Sequence, residues 1–182
     1  IYHHLYLDIL DCKWLVYDVY YNERIVSYYT LFKNFNLIRE DEKIWLRYIN
    51  HLDGVMIEDF AVDYNERYYF KTDWEKQINM SMEAEARGKA LILVSQGSVN
   101  NTDRARFSFV SYLLVNNGLA SFRYTDSDHY EEVWLYENYF HNLGSPTGTL
   151  YEWRGGWRRD FTNGYVFLEP STHTSEINII EQ

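Results

Sequence analysis

Proline, glycine and cysteine are scarce in this sequence. The chain has 2 Pro and 9 Gly among 182 residues, which excludes a collagen-like chain and a flexible linker. Its single cysteine, Cys12, excludes an internal disulfide. No apolar run approaches the roughly 20 residues that a membrane-spanning helix needs, so we expect no transmembrane span. The scarcity of Pro and Gly favours regular elements joined by short polar turns.

Positive charge is also in short supply, since 17 Lys and Arg face 27 Asp and Glu and the net charge is −10. A nucleic-acid binder needs a basic surface, so we expect no nucleic-acid partner. The densest basic cluster, at 153–160, is flanked by Glu152 and contains Asp160. Aromatic residues, in contrast, make up 19% of the chain and hydrophobic residues 46%. This balance and length indicate one globular domain or domain fragment.

Short apolar runs alternate with amphipathic stretches along most of the chain. Strands are predicted at 13–20, 54–60, 90–95 and 119–124, and helices at 22–36, 40–50, 72–88 and 102–118. Thr72 and Glu75 form a capping-box pattern before the third helix, and Gly88 would end it. Residues 128–140 suggest a helix or a loop. After residue 143, Gly-Gly and Asn-Gly turn signals predict hairpins, with a closing strand at 175–180.

This alternation predicts an α/β fold in which the strands at 54–60, 90–95 and 119–124 are parallel neighbours, followed by a C-terminal β-hairpin region. Polar residues follow the ends of these strands: Glu58 and Asp59, then Ser95 and Gln96, then Asp126 and Asp128. Ligands bind at the carboxyl ends of the strands in parallel α/β sheets, so we expect the site there.

Three segments resemble hypothetical glycoside-hydrolase-like families, which are TIM barrels related to endo-polygalactosaminidase-type and other retaining glycosidases. They are HLDGVMIEDF (51–60), FSFVSYLLVNNGLASFRY (107–124), and LGSPTG (143–148) followed by WRRDFTNGYVFLEPS (157–171). The resemblance implies a (β/α) barrel-like sheet, a carbohydrate partner, and an extracellular or cell-surface location. Two positions depart from the pattern: Glu58 replaces an Asp, and Glu169 replaces an Asn.

The length is short for this fold, because a complete barrel takes about 250 residues. We therefore expect the C-terminal portion of a TIM barrel. A segment preceding Ile1, or another chain, would complete the sheet, since bare strand edges are otherwise left open.

Glycoside hydrolysis by the usual route needs two carboxylates. Strand alternation puts Gly54, Met56 and Glu58 on one face, so Glu58 is the first candidate and would face the barrel interior. The alternative is a buried structural acid. For the second carboxylate we consider Asp126 first and Glu137 second, since aromatic neighbours would raise the pKa of Glu137 as a general acid requires. Asp128 is instead a candidate N-cap.

Further candidates would bind the substrate. Sugar rings stack on aromatic side chains, and polar groups at strand ends hydrogen-bond sugar hydroxyls. The candidates are Asp18, Gln96, Trp134, Tyr136 and Trp157. Trp153 belongs to the same group of tryptophans, although most aromatics of such a chain are core residues.

Other chemistries fit poorly. The six histidines are scattered, so no metal site is expected, and Cys12 has no partner pattern for nucleophilic catalysis. No phosphate-binding or dinucleotide-binding glycine motif is present, which favours a mechanism without a cofactor. Two alternatives to an enzyme stay open: a carbohydrate-binding protein that has lost catalysis, and a structural subunit of a larger assembly.

Overall fold

The computed structural model describes residues 6–9, 12–15, 49–50, 52–63, 65 and 67–180. These residues divide between two compact units, Ile1–Glu42 and Lys43–Gln182. In the first unit, β1 (Tyr6–Ile9) pairs antiparallel with β2 (Cys12–Leu15). β2 overlaps the start of the strand predicted at 13–20. The rest of that strand, the helix predicted at 22–36 and most of the helix predicted at 40–50 lie outside the described residues.

The second unit begins with a parallel βαβαβ arrangement. Its elements are β3 (Gly54–Ile57), α1 (Lys71–Ala86), β4 (Ala90–Gln96), α2 (Thr102–Val115) and β5 (Ala120–Thr125). The sheet order is β3-β4-β5, and both pairings are parallel, with Ile57 beside Leu93 and Leu93 beside Phe122. The predicted parallel neighbours are confirmed.

The Asp-Gly pair that leads β3 has a steric reason. A Cβ on Gly54 would lie 2.8 Å from the carbonyl oxygen of Ala90, the first residue of β4. Asp53 contributes too, because its own carbonyl accepts a hydrogen bond from the Ala90 N–H at 3.0 Å. Only glycine permits so close an approach of the two strand starts.

One local prediction about α1 is wrong. The helix begins at Lys71, one residue before Thr72, and its N-cap is Phe70 without a side-chain cap. Glu75 does not complete a capping box. Instead its Oε1 accepts a hydrogen bond from the Trp157 indole at 3.1 Å, so a tertiary contact takes the place of the predicted local one. The helix ends at Ala86, just before Gly88 with its positive φ of 71°, as predicted.

Both helices pack on one face of the parallel sheet, and the core lies between the helices and this face. Ile57, Leu91 and Leu93 are fully buried under the helices. The Trp74 indole of α1 donates to the Ser111 hydroxyl of α2 at 2.9 Å, which fixes the two helices against each other inside this core. The other face of the sheet carries half-buried side chains, among them Met56 and Ile92.

A four-stranded antiparallel sheet follows, as the turn signals predict. Its strands are β6 (Tyr151–Trp153), β7 (Gly156–Phe161), β8 (Gly164–Glu169) and β9 (Thr174–Ile179), in that order. The Asn-Gly signal is displaced by one residue, because Phe161 pairs with Gly164 and the two-residue turn is Thr162-Asn163. This sheet packs on α2, so α2 lies between the two sheets.

The described residues of the second unit therefore form a mixed α/β fold with two separate sheets, and closure of the parallel sheet into a barrel is not confirmed. Residues 128–140 are largely irregular, with a single 3₁₀ turn at Glu137–Phe140. Among the described helices, none is long and apolar enough to span a membrane.

Candidate functional site

Glu58 directly follows β3 and is half-buried at the carboxyl end of the parallel sheet. Burial raises the pKa of its carboxyl group, because the charged form loses hydration, and the negative charge of neighbouring Asp59 raises it further. Among the described residues, no Lys, Arg or His lies within ion-pair distance of Glu58. Such a carboxyl group keeps its proton to a higher pH than an ordinary glutamate does.

The loop after Glu58 is fixed by hydrogen bonds from α1 and β4. The Gln77 amide oxygen accepts from the Ala61 N–H at 2.7 Å, and its NH₂ group donates to the Asp59 carbonyl at 3.3 Å. Ser95 donates to the Phe60 carbonyl at 2.6 Å. These contacts hold Ala61 at a φ of 63°, a conformation that a residue with a Cβ rarely adopts. The backbone strain thus lies three residues from Glu58.

Among the described residues, the Asp59 carboxylate, unlike that of Glu58, accepts a hydrogen bond from another side chain. Its Oδ2 accepts a hydrogen bond from the Tyr69 hydroxyl at 2.8 Å, so it secures the loop between β3 and α1. This agrees with the alternation along the strand, which separates the two carboxylates onto opposite faces.

Gln96, predicted to bind substrate, lies next to Glu58. Its side-chain NH₂ donates to the Glu58 carbonyl at 3.2 Å, and its own carbonyl accepts from buried Arg104 at 2.8 Å. Arg104 also donates to the Asp63 carbonyl, so it ties the end of β4 to the loop after β3. Gly97 makes room for this arrangement, because a Cβ there would overlap the Tyr124 hydroxyl and the Arg104 side chain.

Asp126 follows β5 and is engaged in its own turn. Its carboxylate accepts from the Asp128 and His129 N–H groups at 3.0 and 2.8 Å and contacts the His129 ring nitrogen Nδ1 at 2.8 Å. Although slight burial acts to raise the pKa of Asp126, these hydrogen bonds outweigh it and lower the pKa. The hydrogen bond to Asp126 raises the pKa of His129. Asp128, a candidate N-cap, begins no helix.

Trp134 and Tyr136 lie near this turn. The Trp134 ring is 5.9 Å from the His129 ring and 6.3 Å from the Tyr124 ring, and its indole donates to Glu132 at 2.9 Å. Tyr136 lies 5.9 Å from Tyr124 and donates its hydroxyl to the Val99 carbonyl at 3.0 Å. The structure therefore brings two predicted aromatic residues and Asp126 to the end of β5.

The remaining predicted residues are placed elsewhere. Glu137 begins the 3₁₀ turn and its side chain is exposed, so the expected burial among aromatics is wrong. Trp157 lies on β7 and binds Glu75 of α1 through its indole. Asp18 lies outside the described residues.

The pairing register relates the two main carboxylates. Ile57, Leu93 and Phe122 are level across the sheet, and Glu58, Val94 and Arg123 each follow them by one residue. Asp126 lies three residues beyond Arg123, and the alternation places it off the face of Glu58. Glu58 and Asp126 thus share one edge of the sheet without being direct neighbours in the ladder.

The chain is similar to one family of proteins over most of its length. The family model described as hypothetical glycosyl hydrolase family 15 matches residues 21–165, which is most of the chain. The chain belongs to this family. The match includes the whole parallel sheet and the loop with Asp126, and it confirms the resemblance drawn from the three segments. No curated protein matches the chain significantly.

Arg123 and Tyr130 are not among the candidate residues that the sequence predicts. Arg123, on β5, donates to the carbonyls of Tyr130 and Glu132, and its guanidinium lies 4.8 Å from the Tyr130 ring centroid. The sequence carried a signal for Arg123. Strand alternation places Ser121 and Arg123 on one face of the strand at 119–124, the face that would match the Glu58 face of the strand at 54–60. A charged residue there needs an explanation.

A cavity of about 590 Å³ lies at a different place, beside the C-terminal half of α2. Its lining includes Tyr112, Asn116, Tyr139 and Phe161, and none of the predicted site residues. Because α2 runs opposite to the strands, its C-terminal half lies towards the edge of the parallel sheet remote from Glu58. The cavity and the predicted site residues therefore lie at different places in the structure.

Proposed function

We propose that the chain acts on a polysaccharide or glycan as a glycoside hydrolase, with Glu58 as the proton donor. The observation that carries the proposal is the half-buried Glu58 carboxyl group, with a raised pKa, at the carboxyl end of a parallel sheet in a member of a hypothetical glycosyl hydrolase family. A general acid must keep its proton at the working pH until the leaving oxygen accepts it. No step of this mechanism requires a metal or an organic cofactor.

Asp126 is the proposed second carboxylate, and Glu137 is the alternative. The second group attacks the sugar or activates water, and for either role it must be ionised. The opposite pKa shifts of Glu58 and Asp126 support this division of roles, since two carboxyl groups whose environments separate their pKa values mark an acid and a base. A carboxylate separation of about 5–5.5 Å would give retention, and about 6.5–9.5 Å inversion.

The substrate would lie against the carboxyl edge of the sheet. Gln96 is proposed to bind sugar hydroxyls beside Glu58, and half-buried Trp134 and Tyr136 to stack on sugar rings beside Asp126. Trp157 and Asp18 are kept as proposed binding residues.

We propose further that the parallel sheet is part of a (β/α) barrel within a single domain or domain fragment. The parallel βαβαβ order and the family match support this. Residues outside the described part, or another chain, would then pair with the edges of β3 and β5, which pair with no other described strand.

The test is a comparison of Glu58→Gln with the parent protein on a panel of polysaccharides. Gln keeps the size of the side chain and removes its proton, so folding should persist while hydrolysis falls by about 10²–10⁴-fold or more. Glu176→Gln, at an exposed position on β9, is the matched control and should retain full activity. Full activity of the Glu58→Gln protein on a substrate that the parent cleaves would exclude the proposed role. Asp126→Asn and Glu137→Gln decide between the second carboxylates.

Glycan binding without catalysis is the second candidate function. It is favoured by one observation: Asp126 already accepts three contacts within its own turn, and Glu137 points to solvent. If the parent cleaves nothing, titration with oligosaccharides should still change the tryptophan fluorescence. Trp134→Phe would abolish a change that arises at the strand ends, and Trp157→Phe would not.

A further inference from the structure

The segment 130–132 is held against the parallel sheet by one side chain. Arg123 donates from Nη2 to the carbonyl of Tyr130 and, at 2.6 Å, to the carbonyl of Glu132. In the part of the chain that the structure describes, no carboxylate lies within ion-pair distance of Arg123, and Nε has no hydrogen-bond partner. Backbone carbonyls therefore replace the usual ionic partner, and the guanidinium serves to fix the loop.

The loop is fixed at the level of Glu58. Ile57, Leu93 and Phe122 stand level on neighbouring strands, and Glu58, Val94 and Arg123 are the residues that directly follow them. Two strand spacings of about 4.8 Å separate the first from the last. Val94, in the middle, is only 1% exposed although it is not on the helix face.

Tyr130 is the residue of this segment whose side chain packs on Arg123. Its ring lies over the Arg123 guanidinium, with 4.8 Å from the guanidinium carbon to the ring centroid. Burial raises the pKa of the Tyr130 phenol, and the negative charge of Glu58 raises it further. The phenol stays protonated, so it can donate a hydrogen bond, and its hydroxyl has none with the described residues.

We propose that Tyr130 contacts the substrate beside Glu58, and that Arg123 is the positioning residue that holds Tyr130 there. This inference rests on the proposed function, since it takes a glycan as the ligand. The phenolic O–H donates to a sugar oxygen near the glycosidic oxygen that Glu58 protonates, while the ring packs against the C–H groups of the sugar. Arg123 contacts the backbone and the ring of Tyr130 and the backbone of Glu132, so it acts on the substrate through the segment that carries Tyr130.

The first test removes the hydroxyl alone. Tyr130→Phe keeps the ring over Arg123, so the fold should be unchanged by near-ultraviolet circular dichroism. On a glycan that the parent cleaves, kcat/KM should fall roughly tenfold, the magnitude of one neutral hydrogen bond to substrate. Tyr151→Phe is the matched control, because it removes a hydroxyl bound to Asp160 on the antiparallel sheet, and it should leave kcat/KM unchanged.

The second test measures positioning without any activity. The pKa of Glu58 is followed by NMR of ¹³C-labelled glutamate carboxyls in the parent, Arg123→Ala and Arg123→Lys proteins. Release of the loop in Arg123→Ala rehydrates Glu58, so its pKa should fall towards the ordinary value of 4.5. Lys supplies one nitrogen that can donate to both carbonyls, so Arg123→Lys should restore part of the shift. The alkaline limb of the pH–rate profile should move in the same direction.

The outcomes separate this inference from the proposed function. If Glu58→Gln abolishes hydrolysis while Tyr130→Phe leaves kcat/KM unchanged, the role of Tyr130 is overturned and the proposed function stands. An unchanged Glu58 pKa in Arg123→Ala overturns the positioning role. If the parent neither cleaves nor binds any glycan, the proposed function and the substrate contact both fail, and the Glu58 titration still decides whether Arg123 positions the loop.

Discussion

The two sheets of the second unit use similar side chains in opposite ways. On the antiparallel sheet, Arg154 and Arg158 lie 4.1 and 4.8 Å from the Trp153 ring centroid. Arg158 also binds Asp160 at 2.6–2.9 Å and lies 3.8 Å from the Tyr165 ring centroid. Each of these charged or aromatic side chains contacts another one of them. These contacts explain why the side chains are there, and no ligand is needed to explain them.

The carboxyl edge of the parallel sheet is arranged differently. Glu58 is half-buried with no cation in ion-pair range among the described residues, and the Tyr130 hydroxyl forms no hydrogen bond with them. Buried polar groups are normally satisfied, so groups left without partners call for a functional explanation. The two sheets thus differ in this respect: the charged and aromatic groups of the antiparallel sheet contact one another, whereas the Glu58 carboxyl group and the Tyr130 hydroxyl form no hydrogen bond or ion pair with the described residues.

The largest expected effect on stability lies in the antiparallel sheet. Arg159, only 2% exposed, donates to the carbonyls of Leu113, Leu114 and Asn116 and so caps the C-terminal end of α2 from β7. Arg159→Met leaves these carbonyls unsatisfied, and we expect a loss of about 3 kcal/mol in the free energy of unfolding. Urea unfolding measures this loss.

The control for Arg159 is Arg154→Met, at an exposed turn of the same sheet, which should cost well under about 1 kcal/mol. The ¹³C titration of Glu58 should be the same in the Arg159→Met protein as in the parent, under conditions where both are folded. A Glu58 pKa that moves with Arg159 would show that the two sheets do not act as separate regions.

The sequence predicted local structure and the sheet edge better than side-chain partners. Strand alternation and the Asp-Gly start gave β3, β4 and β5, and their carboxyl ends located Glu58 and Gln96. The predicted capping box was wrong because the Glu75 carboxylate accepts a hydrogen bond from Trp157, which lies 82 positions away in the sequence. The role of Arg123 also depends on a fold-level contact, since nothing in the spacing of 123, 130 and 132 specifies that an irregular loop returns over the strand.

A moderate effect is expected at Glu58 itself. Because its folded-state pKa is raised, the ionised carboxylate destabilises the folded protein, and stability is lost as the pH rises from about 4.5 through the folded-state pKa. Glu58→Gln removes this penalty. Its melting temperature should therefore exceed that of the parent at pH 7.5, and the difference should vanish near pH 4.

Differential scanning calorimetry at the two pH values measures this effect, with Glu176→Gln as an exposed control that should show no difference. A Glu58→Gln protein that melts below the parent at pH 7.5 would show that the carboxylate stabilises the fold and has no strained role. A gain in stability together with a loss of hydrolysis is the pattern of a residue retained for function.

The smallest expected effect concerns the other carboxylate of the same edge, Asp126, whose pKa is shifted in the opposite direction. Its pKa lies below 3.8 and that of His129 above 6.5, so both are charged between these values. The contribution of Asp126 to the turn is lost as the pH falls below 3.8, and that of the imidazolium is lost as the pH rises through the raised pKa of His129. In Asp126→Asn, the His129 pKa measured by NMR should return towards 6.5, whereas Asp128→Asn should keep most of the shift, since Asp128 only adds charge at a distance. An unshifted His129 in the parent would mean that the turn is not formed in solution. Asp126 would then lose the hydrogen bonds that keep it ionised, and with them its contrast with Glu58.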